Sequence, residues 1–338
     1  MNKKRAVLIA MTAAFLLIPV LDRNQYHIYI LDRALINCIV ASGLVALTGL
    51  AGQMSLGHAA FYGIGAYTSA LLTARLGVPI WLGIVVAAVV CLAAGMLLGI
   101  PSFRVSGFYL SLVTIAFGNI VWMVIVNWQS LTGGPLGLLG IPTIRVSGKP
   151  IGKVGFFYLS AVVLALTFII SRRIAGSYLG RAMRAMRDDE VAATTMGINA
   201  RALKLMVFSL SAMYGGVAGG LYAHLSTFLS PESFVFLESC NFVAMAVVGG
   251  LRHIFGGILG GIVVTLVPEF LRVKGWEIYY LMGSSLVILL LVIYLPSGLV
   301  PAIDNVFDRL FVRGSSSVAR GSGASPTGTG PAKVTKGR

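Results

Sequence analysis

The chain has 338 residues, 57% hydrophobic and 11% charged, with a mean hydropathy of +0.90 and a formal net charge of +15. A soluble domain carries about 25% charged residues, so a soluble globular enzyme, a disordered chain and a disulfide scaffold are excluded, and a polytopic helical membrane protein remains. The positive charge calls for no nucleic acid as partner, because cytoplasmic loops of membrane proteins collect Lys and Arg. The three cysteines, Cys38, Cys91 and Cys240, lie in apolar runs and imply no disulfide framework.

The chain opens with Lys3, Lys4 and Arg5 followed by an apolar stretch, which imitates a secretory signal. No small-residue cleavage site follows, and the chain runs into Asp22, Arg23, Asn24 and Gln25. Residues 1–27 are therefore expected to be an uncleaved first span and an outer turn. A span takes about 20 apolar residues. Candidates fall at 6–21, 28–50, 57–74, 79–100, 107–127, 155–171, 205–228, 234–250, 254–271 and 279–299, about ten transmembrane or partial helices. With the first residue inside, the loop 172–204 and the C-terminus are also cytoplasmic, and on that orientation most Lys and Arg gather on the inner side. Residues 28–300 form the transmembrane domain. Residues 301–338 form a tail, expected to be disordered from about 314, where Gly, Ser, Thr and Pro dominate.

The apolar run 39–72 is too long for one span and too short for two. Gly49, Gly52, Gln53, Ser55, Gly57 and His58 interrupt it, which predicts a broken or re-entrant segment near 49–58. Transporters tolerate such breaks where the backbone faces protein or a wet cavity. Ser55 is positioned to cap a half-helix whose amides meet a carboxylate; the alternative is a turn that serves packing alone. Gln53, Ser55 and His58 are thus candidates for the translocation path, although a lone His58 also reads as a structural histidine. Asp32 and Arg33 sit near the outer end of their span, where they are expected to reach the interface. The outer loop 129–154 reads as turns, with Gly133, Gly134, Pro135, Pro142 and Pro150.

The loop 172–204 is the most informative stretch. Ser177 to Arg187 reads as a short helix with Leu179, Met183 and Met186 on one face and Arg181, Arg184 and Arg187 on another. Asp188, Asp189 and Glu190 suit a new helix start, Gly197 suits its end, and Asn199 suits the cap of the helix that follows. Two readings fit this pattern: an amphipathic connection resting on anionic lipid, and a docking element whose Met and Ala face fills a partner's groove. Beyond it, Gly215 with Gly219 and Gly256 with Gly260 repeat at the spacing that lets helices approach closely. Glu238 lies with Ser239, Cys240 and Asn241 in an otherwise apolar span, which makes Glu238 and Asn241 further path candidates. Glu269 and Arg272 are spaced for a local pair.

The run Gly180-Arg-Ala-Met-Arg-Ala-Met-Arg-Asp-Asp-Glu-Val-Ala-Ala-Thr-Thr-Met-Gly-Ile-Asn199 resembles the inner loop of the LivM-type permeases of branched-chain amino acid ABC transporters. The run from Gly49 to Tyr67 is similar to a second hallmark of that family. Ala246 to Leu251 followed by Gly256 to Gly261 is similar to a third. The resemblance spans about 28–300. It implies an all-α permease subunit, not an enzyme, with no cofactor of its own, in the bacterial inner membrane. It implies a sister permease, two cytosolic ATPase subunits that bind ATP and Mg, a periplasmic amino-acid-binding protein, and membrane lipid around the assembly. The loop would then be the cytoplasmic coupling helix, with Arg184, Arg187, Asp188, Asp189, Glu190, Ala192, Ala193 and Gly197 as coupling residues. Against the general importer pattern E-A-A-x-x-x-G, this chain has one extra residue between Glu190 and Gly197.

The chain has no G-x-x-x-x-G-K-[ST] phosphate loop, so ATP would have to bind another chain. The four histidines form no H-E-x-x-H, which argues against an intramembrane metalloenzyme. An ion-coupled secondary transporter using Asp32, Glu238 or Glu269 is the competing class. Urea and short amides are the alternative cargo within the importer class.

Overall fold

The computed structural model describes Pro19 and residues 24–102, 107–146, 149–273 and 280–303. Apart from Pro19, the expected span 6–21 lies outside the described residues, as does the tail beyond 303.

Eleven principal helices follow in chain order. They are α1 (Gln25–Leu44), α2 (His58–Leu76), α3 (Ile80–Ser102), α4 (Phe108–Asn127), α5 (Lys153–Gly176), α6 (Tyr178–Asp188), α7 (Glu190–Thr195), α8 (Ala200–Ser226), α9 (Phe236–Gly249), α10 (Gly256–Val273) and α11 (Tyr280–Tyr294). Asn24 caps α1, its Oδ1 accepting from the Tyr26 amide at 3.0 Å. α1 runs on as a π-helical segment, Val45–Leu50, and regular structure stops at Gly52, whose φ is +70°. A π turn widens the helix and leaves carbonyls open to other donors. Residues 52–57 carry no helix, so the run predicted to be broken is broken there.

Five of the described helices are long and apolar enough to cross a membrane: Gln25–Leu50, Ile80–Ile100, Tyr109–Asn127, Lys153–Gly176 and Ala200–Ser226. Phe236–Gly249, Gly256–Glu269 and Ser285–Tyr294 are apolar but shorter. Each of the other nine predicted spans falls on a helix among the described residues, some of them partial as expected, and the partial helices α9 and α10 pack against α1. α1 is the hub, packing on α5, α8, α9 and α10. Nearly all of it is buried (94%), against 22% for Tyr109–Asn127. The outer helices expose Leu82, Val85, Val89, Leu97, Ile120 and Met123, an apolar exterior suited to lipid.

Glycine sets how close the helices come. A Cβ at Gly219 of α8 would lie 2.0 Å from the Tyr62 carbonyl oxygen of α2, and one at Gly260 of α10 would lie 1.7 Å from the Met245 carbonyl oxygen of α9. Gly215 lies against Phe61, and Gly256 against the Gly250 carbonyl. Any larger residue would force these backbones apart.

The loop 129–154 contains two short helical turns, Gln129–Thr132 and Gly134–Leu136, and a two-residue antiparallel pair, β1 (Arg145–Val146) with β2 (Lys149–Pro150), in which Arg145 faces Pro150. Leu138 and Leu229 also exchange backbone hydrogen bonds at 3.0 Å, tying this loop to the end of α8.

Candidate coupling loop and translocation path

The segment expected to form two short helices folds as α6 and α7. Asp189 caps α7, its Oδ1 accepting from the amides of Val191 at 2.9 Å and Ala192 at 3.0 Å. Gly197, with φ +83°, closes α7, a conformation that glycine adopts without strain. Asn199 caps α8 through the Ala202 amide at 3.1 Å. Asp188 is the last residue of α6, where it accepts from Arg187 Nε and Nη2 at 3.0 and 2.9 Å. It takes no part in starting α7.

The methionine face of α6 corrects an expectation. Met183 and Met186 are buried with Ala182 against Leu47, Leu50, Leu203 and Phe208 of the same chain, so they offer nothing to a partner's groove. An amphipathic helix turns its apolar stripe to the nearest apolar surface, and here the bundle itself supplies that surface. On α7 and its end, Val191 (73% exposed) and Met196 (84% exposed) face outward, with Ala192 exposed between them and Ala193 buried.

The arginines fasten the loop to the bundle. Arg184 Nη1 donates to the Ala175 carbonyl at 3.0 Å. Arg187 Nη1 donates to the Gly49 carbonyl at 2.7 Å, across 138 residues of sequence. Gly49 belongs to the π segment, and a Cβ at Gly52 would lie 2.7 Å from Arg187 Cγ. The loop thus holds the broken helix at its break. Glu190 Oε1 meets Lys204 Nζ at 2.5 Å, which joins α7 to α8. Between the loop and the break lies a cleft of about 180 Å³, lined among others by Gly52, Gln53, Arg187, Glu190 and Lys204. The Gln53 side chain is buried there, and neither of its amide atoms has a hydrogen-bond partner. The Arg187 to Gly49 link had no sequence signal, because a carbonyl acceptor is the same at every residue.

The path candidates do not form one site. Ser55 Oγ hydrogen-bonds His58 Nδ1 at 3.0 Å, and His58 Nε2 hydrogen-bonds Ser211 Oγ at 2.7 Å, all three groups buried. Ser55 caps nothing: the N-cap of α2 is Gly57. Two amides near this helix start are taken by the protein's own hydroxyls, Ala59 by Ser239 Oγ at 2.9 Å and Leu56 by Thr114 Oγ1 at 3.0 Å. Glu238 and Asn241 stand apart, in the first turns of α9, with Asn241 Nδ2 donating to Glu238 Oε2 at 3.0 Å.

One further acid departs from expectation. Asp32 does not reach an interface: it is fully buried, and neither carboxyl oxygen has a hydrogen-bond partner. Glu269 accepts from the Tyr26 hydroxyl of α1; the Arg272 side chain lies outside the described residues. No group of three or more His, Cys, Asp or Glu suited to a metal occurs among the described residues.

An apolar-faced helical bundle with an interrupted helix inside it, held by a folded loop, defines a multi-pass membrane protein built around a break in its own helices. Residues 26–295 match the family described as branched-chain amino acid transport system / permease component, and the chain belongs to that family. The high-affinity branched-chain amino acid transport system permease protein LivM of Escherichia coli (strain K12) is 35% identical over 291 residues, which cover 79% of this chain and 68% of that protein. LivM of Salmonella typhimurium (strain LT2) is 33% identical over 296 residues, 80% of this chain and 69% of that protein. LivH of Escherichia coli (strain K12) is 25% identical over 154 residues, 44% of this chain and 50% of that protein. No solved structure matches the chain.

Proposed function

We propose that this chain is one permease subunit of an ABC importer that brings branched-chain or related neutral amino acids into the cytoplasm. It sits in the inner membrane with both termini and the loop 172–204 inside. A sister permease completes the pathway, a periplasmic binding protein delivers the cargo, and two ATPase subunits bind ATP and Mg. The chain performs no chemistry of its own. The observation that carries this reading is the Arg187 hydrogen bond to the Gly49 carbonyl at 2.7 Å. It gives a docked motor a direct mechanical hold on the broken helix.

The mechanism follows from the contacts. Val191 and Met196 form the outward apolar rim that an ATPase groove covers. Closure of the ATPase pair displaces α6 and α7 as one piece, because Asp189 joins them: its amide donates to the Ala185 carbonyl of α6 and its Oδ1 caps α7. Arg187 passes that displacement to Gly49. Residues 53–57, which lie outside any helix, absorb it. Their far end is pinned by the Ser55–His58–Ser211 chain, so the movement becomes a change at the start of α2.

Co-purification tests the assembly. A tagged chain is expected to bring down a second permease and two ATPases, and the complex is expected to take up leucine in liposomes only with ATP and the binding protein. Uptake by the isolated chain, driven by a proton gradient and abolished by a protonophore, would replace the importer with a secondary transporter.

A further inference from the structure

The corner where α5 meets α6 gathers four guanidinium groups. Arg172 and Arg173 stand exposed near the end of α5, and Arg181 and Arg184 reach back to it from α6. Arg184 Nη1 donates to the Ala175 carbonyl at 3.0 Å, and Arg181 Nη1 lies 3.5 Å from the Gly176 carbonyl oxygen. The corner is tight, since a Cβ at Gly180 would lie 2.4 Å from the Ala175 carbonyl oxygen. The first turn of α6 is thus held against the end of α5, which keeps the arginines of both helices in one place.

No carboxylate answers this charge. Of the acids in the loop, Asp188 pairs with Arg187, Asp189 caps α7 and Glu190 pairs with Lys204. Neither of the two ion pairs among the described residues includes any of the four arginines. The carbonyls at the end of α5 offer about half an elementary charge against them. The space in front is open, because nothing lies within 4 Å of a Cβ built on Gly176. The setting of the corner then names its partner. Val162, Leu166 and Ile169 are exposed along one face of α5, and Arg173 continues that stripe four residues further on. An exposed apolar stripe on a spanning helix meets hydrocarbon, so a guanidinium at its end stands among headgroups. Tyr178, exposed beside it, suits the same zone. A soluble partner would meet the arginines but not the stripe.

We propose that this corner binds the headgroup of an anionic phospholipid. Arg173 and Arg181 offer their planar forks to the phosphate oxygens, and an acyl chain lies along Val162, Leu166 and Ile169. A zwitterionic headgroup is disfavoured, because its ammonium group meets four cations. A lipid so held anchors the first corner of the loop to the membrane surface. Placing it in the inner leaflet rests on the orientation of the permease reading above; the binding chemistry does not.

The test equilibrates the full chain, purified with whatever subunits accompany it, in detergent with equal amounts of phosphatidylglycerol and phosphatidylcholine. Size exclusion follows, and native mass spectrometry counts the lipid retained. The wild type is expected to keep phosphatidylglycerol over phosphatidylcholine. R173Q/R181Q is expected to bind phosphatidylglycerol more weakly by on the order of tenfold or more, the loss of two basic side chains at an anionic surface. R173K/R181K keeps the charge and should retain more than R173Q/R181Q. Inorganic phosphate, added as competitor, is expected to leave the lipid in place, because it has no chain to lie on the stripe. Equal retention in the wild type and R173Q/R181Q overturns the site, and so does equal retention of the two lipids by the wild type. Displacement by phosphate makes it a free-anion site and overturns the lipid. Release of the ATPase subunits from R173Q/R181Q makes the corner a protein contact and overturns it as well. The wild-type arms need no variant, so the proposal stays open to refutation if R173Q/R181Q does not assemble. Transport is not the readout: a chain that fails to link uptake to ATP removes the permease reading and leaves the lipid result standing.

Discussion

Replacing Arg187 with Gln tests the hold of the loop on the broken helix. The guanidinium donates to the Gly49 carbonyl at 2.7 Å, and the side chain is 25% exposed. A hydrogen bond from a charged donor contributes about 1.5–3 kcal/mol, and partial exposure places this one near the lower bound. The accompanying pair with Asp188, which is 67% exposed, adds less than about 1 kcal/mol. A loss of about 1.5 kcal/mol changes an equilibrium about tenfold, here the one between the loop engaged with the break and the loop slipping past it. The assay is leucine transported per ATP hydrolysed in liposomes containing the whole importer. R187Q is expected to lower that ratio about tenfold, with hydrolysis continuing and the ATPase subunits still bound. R187K keeps the charge but loses the fork and should fall between. A ratio equal to the wild type in R187Q would refute the idea that force passes through Gly49.

Three other outcomes are expected. V191D and M196D should release the ATPase subunits on co-purification while leaving the melting temperature of the permease in detergent unchanged, because both side chains are exposed and make no core contact. G219A puts a methyl 2.0 Å from the Tyr62 carbonyl, and overpacking at a helix contact costs about 1–3 kcal/mol. Its melting temperature should drop, whereas G176A, with nothing within 4 Å, should match the wild type. H58L removes the shared partner of Ser55 and Ser211; each orphaned buried hydroxyl costs about 1–3 kcal/mol, so thermal unfolding in detergent should shift down more than for S211A, which orphans fewer groups.

Much of the architecture is written in short-range features. The absence of charge over long stretches requires a membrane environment. Gly49, Gly52 and Gly57 mark the break within a run too apolar to be a loop. Asp189, Gly197 and Asn199 mark the ends of α7 and the start of α8, because capping joins a side chain to amides two or three residues away. These contacts are local in sequence, so their signals are local too.

The partners across the bundle were not readable in the same way. Ser55 was positioned for a cap, yet its hydroxyl is taken by His58. The apolar face of α6 suits lipid or a partner's groove equally by its pattern, yet Met183 and Met186 are buried in one cluster with Leu47 and Phe208 of their own chain. Tyr62, Tyr222 and Phe242 are far apart in the sequence, and their rings meet only because α2, α8 and α9 converge.

Composition and local spacing therefore determined that the chain is a helical membrane protein, where its central helix breaks, and how the loop 172–204 is divided into helices. Which side chains meet was decided by the tertiary structure alone. The cause is the apolar character of the spans: a helix that is hydrophobic all round carries no stripe to report its rotation. Its polar residues find their neighbours only when backbone packing at residues such as Gly219 and Gly260 sets that rotation.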